Sequence, residues 1–319
     1  MKRFYIKTFF FILPIIIFAI PFEFAVKNIP NDYSYKKAYL NQNSSEIETL
    51  ILGSSHAYYG LDPVYFDSKT FNAAYVSQTL DYDNEIFERY KGQMVQLKSV
   101  IVVISYFSMF DVLHEGRGEG WRIKYYLRYC DIGTGGLLDK IEIFGRKLYI
   151  NMGRFVKYYL LRKSTITTTE LGWGTSYKSE NAMDLDETGK ETAIRHTFNK
   201  INLENTKNIE SILDSMIAFC KTKNIHVALL TLPAYKSYRD NLNNEQLKLT
   251  LDFANNIAQR HQNCTYINML ADSYFTYEDF YDGDHLNEIG AKKLSLKVNK
   301  MLEELNEKSN LVTNSIYVK

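Results

Sequence analysis

Two stretches carry residue types that can do acyl chemistry. "LILGSSHAYYG", Leu50 to Gly60, leaves an apolar run and presents Ser54, Ser55 and His56 directly behind Gly53. "FYDGDHLNEIGAKKL" places Asp282, Asp284 and His285 just ahead of an apolar-periodic segment near the end of the chain. A serine hydroxyl is a weak nucleophile until an imidazole takes its proton, and that imidazole serves best when a carboxylate holds its tautomer. Asp282 precedes His285 by three residues, a spacing at which a carboxylate in a tight turn reaches Nδ1 and leaves Nε2 to face a serine. Asp284 is the alternative partner, although adjacent side chains usually point apart. Either Gly53–Ser55 is an ordinary strand-to-helix turn, or one serine is a nucleophile served by this distant base.

The other histidines have less telling surroundings. His56 adjoins the serines, where a ring rarely turns back onto the preceding hydroxyl. His226 opens a strand-like run and reads as structural. His114 and His196 lie in a stretch without regular periodicity, and His261 ends a polar helix. His285 is therefore the expected base.

These residues need a scaffold that brings distant segments together. Short apolar runs occur at Ile47–Gly53, Ser99–Ser105, His226–Leu232 and Cys264–Leu270, with a weaker one at Thr70–Val76. Continuous apolar runs bounded by polar segments suit strands buried on both faces of a parallel sheet. Helical patterns lie between them, through Ile86–Leu97, Ile209–Cys220, Leu247–Ile257 and Leu286–Leu305. The alternation predicts an α/β fold of three layers, a mostly parallel, doubly wound sheet flanked by helices. Ligands bind such sheets outside the carboxyl ends of the strands, where Ser54 and Ser55 stand.

From about residue 111 to 199 the alternation is lost. Between Asp111 and Glu170 eleven Lys or Arg stand against seven Asp or Glu, and "WRIKYYLRY" and "GRFVKYYLLRK" read as amphipathic helices. This stretch is expected to be a largely helical insertion, a lid over the sheet's C-terminal edge. Trp121, Tyr125, Tyr126 and Trp173 are either sugar-stacking surfaces or insertion core.

At the N-terminus, Lys2, Arg3 and Lys7 precede an apolar run from Phe9 to Phe22. Position and basic flank predict an uncleaved signal anchor over residues 1–27, with the basic side cytoplasmic and the rest of the chain outside. Residues 28–45 read as a linker, 46–310 as the α/β domain carrying the insertion, and 311–319 as a tail. Across its 319 residues the chain is 45% hydrophobic and 24% charged, with a formal net charge of +1, a balance that argues against nucleic-acid binding. Cys130, Cys220 and Cys264 form no CxxC pair or metal-ligand spacing, so no metal and no cofactor is expected.

"GSSH" after the first strand and "DGDH" before the last helix together resemble the SGNH, or GDSL, hydrolase superfamily. The resemblance spans about 46–110 and 199–305 and implies a flavodoxin-like sheet with Ser55 as nucleophile, His285 as base and Asp282 as its acid. It implies that oxyanion donors come from Ser55 N–H and from Ala74 in "FNAAYVSQ", where the family has glycine. The family's third-block asparagine is absent from "VVISYFSMFD", leaving Ser105 or Ser108 as hydroxyl candidates. The first block and the anchor are similar to the membrane-anchored envelope branch, DltD and the alginate O-acetylation proteins. That likeness implies O-acyl transfer, chiefly of acetyl, to or from a cell-envelope polysaccharide. Its implied partners are an acylated glycan or acyl donor, and a multi-pass membrane acyltransferase. A carbohydrate or lipid esterase, and a non-catalytic glycan-binding or scaffold module, are the competing functions. Asn72, Lys236 and Arg239 are the substrate-contact candidates, the last two equally readable as an exposed loop.

Overall fold

The computed structural model describes residues 1–113 and 119–316, with side chains described through 305. His114 lies outside the described residues. In chain order the main elements are α1 (Lys2–Lys27), α2 (Asp32–Asn43), β1 (Thr49–Leu52), α3 (Ser55–Gly60), β2 (Thr70–Asn72), α4 (Leu80–Tyr90), β3 (Ser99–Val103) and α5 (Ile123–Tyr125). They continue as α6 (Leu148–Phe155), α7 (Leu185–His196), α8 (Leu203–Thr222), β4 (His226–Thr231), α9 (Lys236–Arg239), α10 (Asn244–Arg260), β5 (Cys264–Asn268) and α11 (Glu288–Ile316).

The chain divides into two compact units: Met1–Ala38 with Arg117–Thr167, and Tyr39–Gly116 with Thr168–Lys319. The larger unit holds an all-parallel sheet in the order β2-β1-β3-β4-β5. This is the flavodoxin-like order, whose switch point lies between β1 and β3. All five apolar runs become strands. Leu50, Ile51, Leu52, Val100, Ile101 and Val102 are completely buried. Each such side chain contributes about 1.5–3 kcal/mol of transfer free energy, which is why these segments read as unbroken apolar runs. The helical patterns become α4, α8, α10 and α11, whose inner faces include Phe87, Leu213, Ala254 and Leu294.

The smaller unit consists of α1, most of α2 and the segment holding α5 and α6. α5 and α6 each run on into a single π-helical turn, Tyr126–Cys130 and Val156–Leu160. Its core includes Tyr125 and Tyr126, and at its centre the fully buried Glu142 takes hydrogen bonds from Arg128 and Arg154. α1 is long and apolar enough to cross a membrane.

Two boundaries differ from those expected. Residues 28–45 do not form an open linker, because α2 occupies most of them and buries Lys36 and Leu40. Its apolar positions are few and spaced without a clear period, so polarity concealed the helix. The 111–199 insertion is also divided: only Arg117–Thr167 joins the smaller unit, while α7 packs with α9 in the sheet unit. Of the aromatic residues read as either sugar-stacking surface or core, Tyr125, Tyr126 and Trp173 are buried and fall to the core alternative. The Trp173 indole N–H donates to Tyr59 O, 2.7 Å away.

The turn after β1 is built around Gly53. Its φ is +136°, a region that side chains avoid, and a Cβ there would meet Val103 Cβ at 2.9 Å and Ala57 Cβ at 3.0 Å. Its N–H donates to Asp83 Oδ1 at 2.7 Å, and Gln78 Nε2 donates to the same oxygen at 2.5 Å. Burial pushes the Asp83 carboxyl up to about 7 against these two donors. The folded chain therefore binds more protons than the unfolded chain between the ordinary value of 3.8 and about 7, and stability falls as pH rises through that window. Asp83→Asn keeps an acceptor for Gly53 and removes the ionisation. In thermal unfolding the wild type is expected to lose a few kcal/mol between pH about 4 and about 8 that the variant keeps; parallel pH dependences would show that Asp83 does not titrate in that window.

Candidate active site

Ser55 opens α3, and Ser54 before it has extended backbone angles, so the chain changes direction at the serine pair. The two hydroxyls separate in environment. Ser54 is 2% exposed and its Oγ lies 3.3 Å from Ser105 Oγ, whereas Ser55 is half-buried and its Oγ lies 2.8 Å from His285 Nε2. The opposite ring nitrogen, His285 Nδ1, lies 3.0 and 3.1 Å from the two oxygens of Asp282. Asp282 also receives the backbone N–H groups of Asp284 and His285, which closes the tight turn. Ser55, His285 and Asp282, separated by up to 230 positions, thus stand in one hydrogen-bonded line.

The Asp282–His285 loop is held from both sides. Asn287 caps α11 by accepting from the N–H of Ile289 and of Gly290, and its amide donates to Glu278 O and Phe280 O. On the other side α7 approaches so closely that a Cβ on Gly283 would fall 2.1 Å from Gly189 Cα. Gly283 N–H donates to Thr188 Oγ1 at 3.0 Å, and its carbonyl accepts from Tyr235 N–H.

A second relay runs beside the first. Asp284 is buried, with Oδ2 3.0 Å from His56 Nε2 and Oδ1 3.3 Å from His285 Nδ1. His56 Nδ1 lies 2.7 Å from Ser105 Oγ. His196 Nδ1 approaches Asp284 at 3.8 Å and pairs with Tyr238 Oη at 2.9 Å. The two relays meet because β1 and β3 are neighbours at the switch point, so the residues after each share one sheet edge. Tyr177 completes the wall. It stacks between Tyr59 and Tyr281, with centroids 3.7 and 3.8 Å away, and stands 5.3 Å from the His285 ring.

The remaining expected site residues fall elsewhere. Ala74 N–H donates to Asn72 Oδ1 at 3.0 Å, so the donor expected for an oxyanion is engaged inside its own turn. Asn72 is completely buried and its amide donates to Ala57 O and Leu61 O. It fastens α3 to β2 rather than meeting a substrate. Ser108 Oγ accepts from Ser105 N–H. Lys236 is exposed and paired with Asp240, and Arg239 lines a cleft of about 180 Å³ with Tyr235 and Tyr277; neither Ser55 nor His285 lines that cleft. Sequence reasoning set aside His56 and His196 and kept Asp284 only as the alternative partner of His285, because the contacts among them come from chain crossings, not from local spacing. The chain neighbours of Ser55 and His285 were the available signal.

Charge on this cluster is set by its carboxylates. Burial opposes a charged imidazole at His285, but Asp282 and Asp284 outweigh it and push the ring up to about 10. Burial likewise opposes charge on Asp284, yet His285, His56 and His196 hold that carboxyl well below the usual range. His56, Asp284 and His285 each bring a ligand atom within 4.8 Å of the others, a spacing that a divalent cation fits. Most of these atoms are also engaged with protein partners, His285 with Asp282 and His56 with Ser105, while Asp284 Oδ1 is buried without a hydrogen-bond partner.

No family model matches the chain, and no curated protein sequence matches it. Solved structures do overlap it. One is a Streptococcus pneumonia protein provisionally described as a platelet activating factor, at 10% identity and TM-score 0.42, covering 91% of this chain and 97% of its own. A second, provisionally assigned as an acylhydrolase, comes from Bacteroides fragilis (11% identity, TM-score 0.40, 85% and 95% coverage). A third is a GDSL-like lipase of Bacteroides thetaiotaomicron (11% identity, TM-score 0.40, 87% and 99%). Overlaps this loose neither assign the chain to a family nor lend it an activity.

A charged His285 cannot accept a proton from Ser55, so any rate that depends on this base rises as pH climbs through the ring's pKa, well above the ~6.5 of free imidazole. Asp284→Asn removes one of the two charges that raise it. Aryl-acetate turnover by the variant is expected to show its rising limb at lower pH than the wild type; coincident limbs would show that Asp284 does not act on His285.

Proposed function

We propose that the chain is a serine-dependent acyl-ester enzyme. The observation that carries this is the line of Ser55 Oγ, His285 and Asp282, with Ser55 half-buried and Ser54 sealed. In the first step neutral His285 accepts the Ser55 proton at Nε2 as Oγ bonds to an ester carbonyl carbon. The carbonyl π pair moves onto oxygen, and Asp282 stabilises the imidazolium that forms. Collapse of the tetrahedral species breaks the bond to the alcohol, which leaves with the proton from His285. An acceptor hydroxyl then gives its proton to His285, attacks the acyl-serine, and releases Ser55, which regains its hydrogen.

The oxyanion needs donors other than Ala74. Ser55's own N–H, in the first turn of α3, is one. Ser105 is the second: when His56 Nδ1 carries a proton it donates to Ser105 Oγ, and the serine hydrogen is free to turn to the reacting oxygen. This pair stands in for the side-chain amide that the chain lacks after β3. Ser105→Ala is expected to lower kcat by about 10²–10³-fold with little change in KM; a fall in kcat of under about threefold would remove Ser105 from the transition state.

The acceptor we infer is a hydroxyl of a cell-envelope polysaccharide, with acetyl as the group moved and α1 as a single-pass anchor whose basic end stays in the cytoplasm. Two features support transfer over simple hydrolysis. α1 is apolar enough for an anchor, which would keep the enzyme at the envelope, and the Tyr59–Tyr177–Tyr281 stack shields His285 from water on one side. The full chain in detergent, given an aryl acetate and an oligosaccharide acceptor, is expected to place acetyl on the sugar, and Ser55→Ala to abolish it. Free acetate alone from the wild type would assign an esterase instead, and a wild type no faster than Ser55→Ala would assign a scaffold.

A further inference from the structure

We infer that the smaller unit docks on the membrane surface through α6 and the π-turn that follows it, seating an apolar stripe among lipid headgroups. This rests on the membrane-anchor reading of α1. Leu148, Met152, Val156 and Leu160, within α6 and its π-turn, recur every four residues and are all exposed, Leu148, Met152 and Leu160 by 54–67%, and Phe144 in the turn just before α6 is exposed as well. Exposed apolar side chains at one helical spacing form a contiguous face, and such faces on a soluble surface mark a partner or a lipid boundary.

Depth along α1 identifies the occupant. Glu23 carboxylate oxygens accept the N–H groups of Glu142 and Ile143 at 2.8 and 2.9 Å. Phe22 packs on Phe155 with centroids 5.8 Å apart, and Tyr159 Oη donates to Ala25 O at 3.0 Å. The segment is therefore fastened to the last turns of α1, at the end opposite Lys2, Arg3 and Lys7. With the basic end inside, those turns lie at the outer headgroup level. The unbroken apolar run Phe9–Phe22 rises only about 20 Å, against a hydrocarbon core of about 30 Å. The stripe adds apolar surface at the level where α1 alone runs out.

Charge agrees with lipid over protein. From Leu137 to Lys163 the chain carries Lys140, Arg146, Lys147, Arg154, Lys157, Arg162 and Lys163 against Asp139 and Glu142. Glu142 and Arg154 are spent on each other internally, which leaves Lys140, Arg146, Lys147, Lys157, Arg162 and Lys163 against Asp139 on and around α6 and its π-turn. An apolar stripe flanked by excess basic residues is the composition of an interfacial segment on anionic lipid.

The test uses the full chain, alone, in nanodiscs of phosphatidylcholine and phosphatidylglycerol with nitroxides either near the headgroup or at the chain end. Single cysteines replace Met152, Leu160 or Phe11 and carry an environment-sensitive fluorophore, the native cysteines being buried. Labels at Met152→Cys and Leu160→Cys are expected to be quenched several-fold more by the shallow nitroxide than by the deep one, and Phe11→Cys the reverse. Lys147→Glu with Lys157→Glu is expected to weaken the shallow quenching in discs containing phosphatidylglycerol but not in pure phosphatidylcholine. Unquenched labels at 152 and 160 beside a quenched Phe11 label would overturn the docking while leaving the anchor. An unquenched Phe11 label would overturn the anchor and the docking with it. Labels at 152 and 160 that leave water only when native membrane proteins are added would give the face to a protein and also overturn the proposal.

Discussion

Everything in the larger unit converges on one hydrogen bond, 2.8 Å between Ser55 Oγ and His285 Nε2. A hydroxyl and an imidazole from opposite ends of a fold can hold that separation only if both backbones are over-determined. On the serine side, Gly53 is the one residue type that tolerates its φ and its contact with Val103, and Asp83 pins its N–H. On the histidine side, the cap on α11 and the close approach of α7 leave the Asp282–His285 loop no slack. Asn72 then locks α3 to the sheet by two hydrogen bonds, to Ala57 O and Leu61 O, and accepts a third from Ala74 N–H within its own turn. These supports use buried polar groups whose loss costs about 1–3 kcal/mol each, so the site's geometry is also a stability requirement.

The electrostatic design is unusual in having two carboxylates and three imidazoles in one buried cluster. Asp282 orients the ring that faces Ser55. Asp284 approaches the same ring at 3.3 Å and pairs with His56, so it couples His285 to the Ser105 side of the cluster. A proton added on one imidazole is felt by the others through this shared carboxylate. The coupling gives a physical role to a residue one position from His285, where adjacent side chains would ordinarily diverge.

Much of the framework was legible because its signals are local. Strands such as Ser99–Val103 and helices such as Leu203–Thr222 announce themselves by unbroken or periodic apolar residues, and the Asp282–His285 spacing is a property of one turn. What was hidden depends on long-range packing. The Asp284–His56–Ser105 relay exists because β1 and β3 are neighbours and their following loops share an edge. Asn72 and Ala74 look like substrate-facing residues by position, and only the fold shows them bonded to each other. α2 escaped notice since few of its residues are apolar, and the insertion's division could not be read from composition, because α7 is as polar as the segment before it.

The central claim is that Ser55, not its neighbour, is the activated hydroxyl. Mass spectrometry of the full chain after reaction with a fluorophosphonate tests it directly. The account predicts a single adduct on the peptide carrying Gly53–Tyr59, fragmenting to Ser55 and absent from His285→Ala. An adduct on Ser54 or Ser105, or none under conditions that modify a control serine hydrolase, would contradict it.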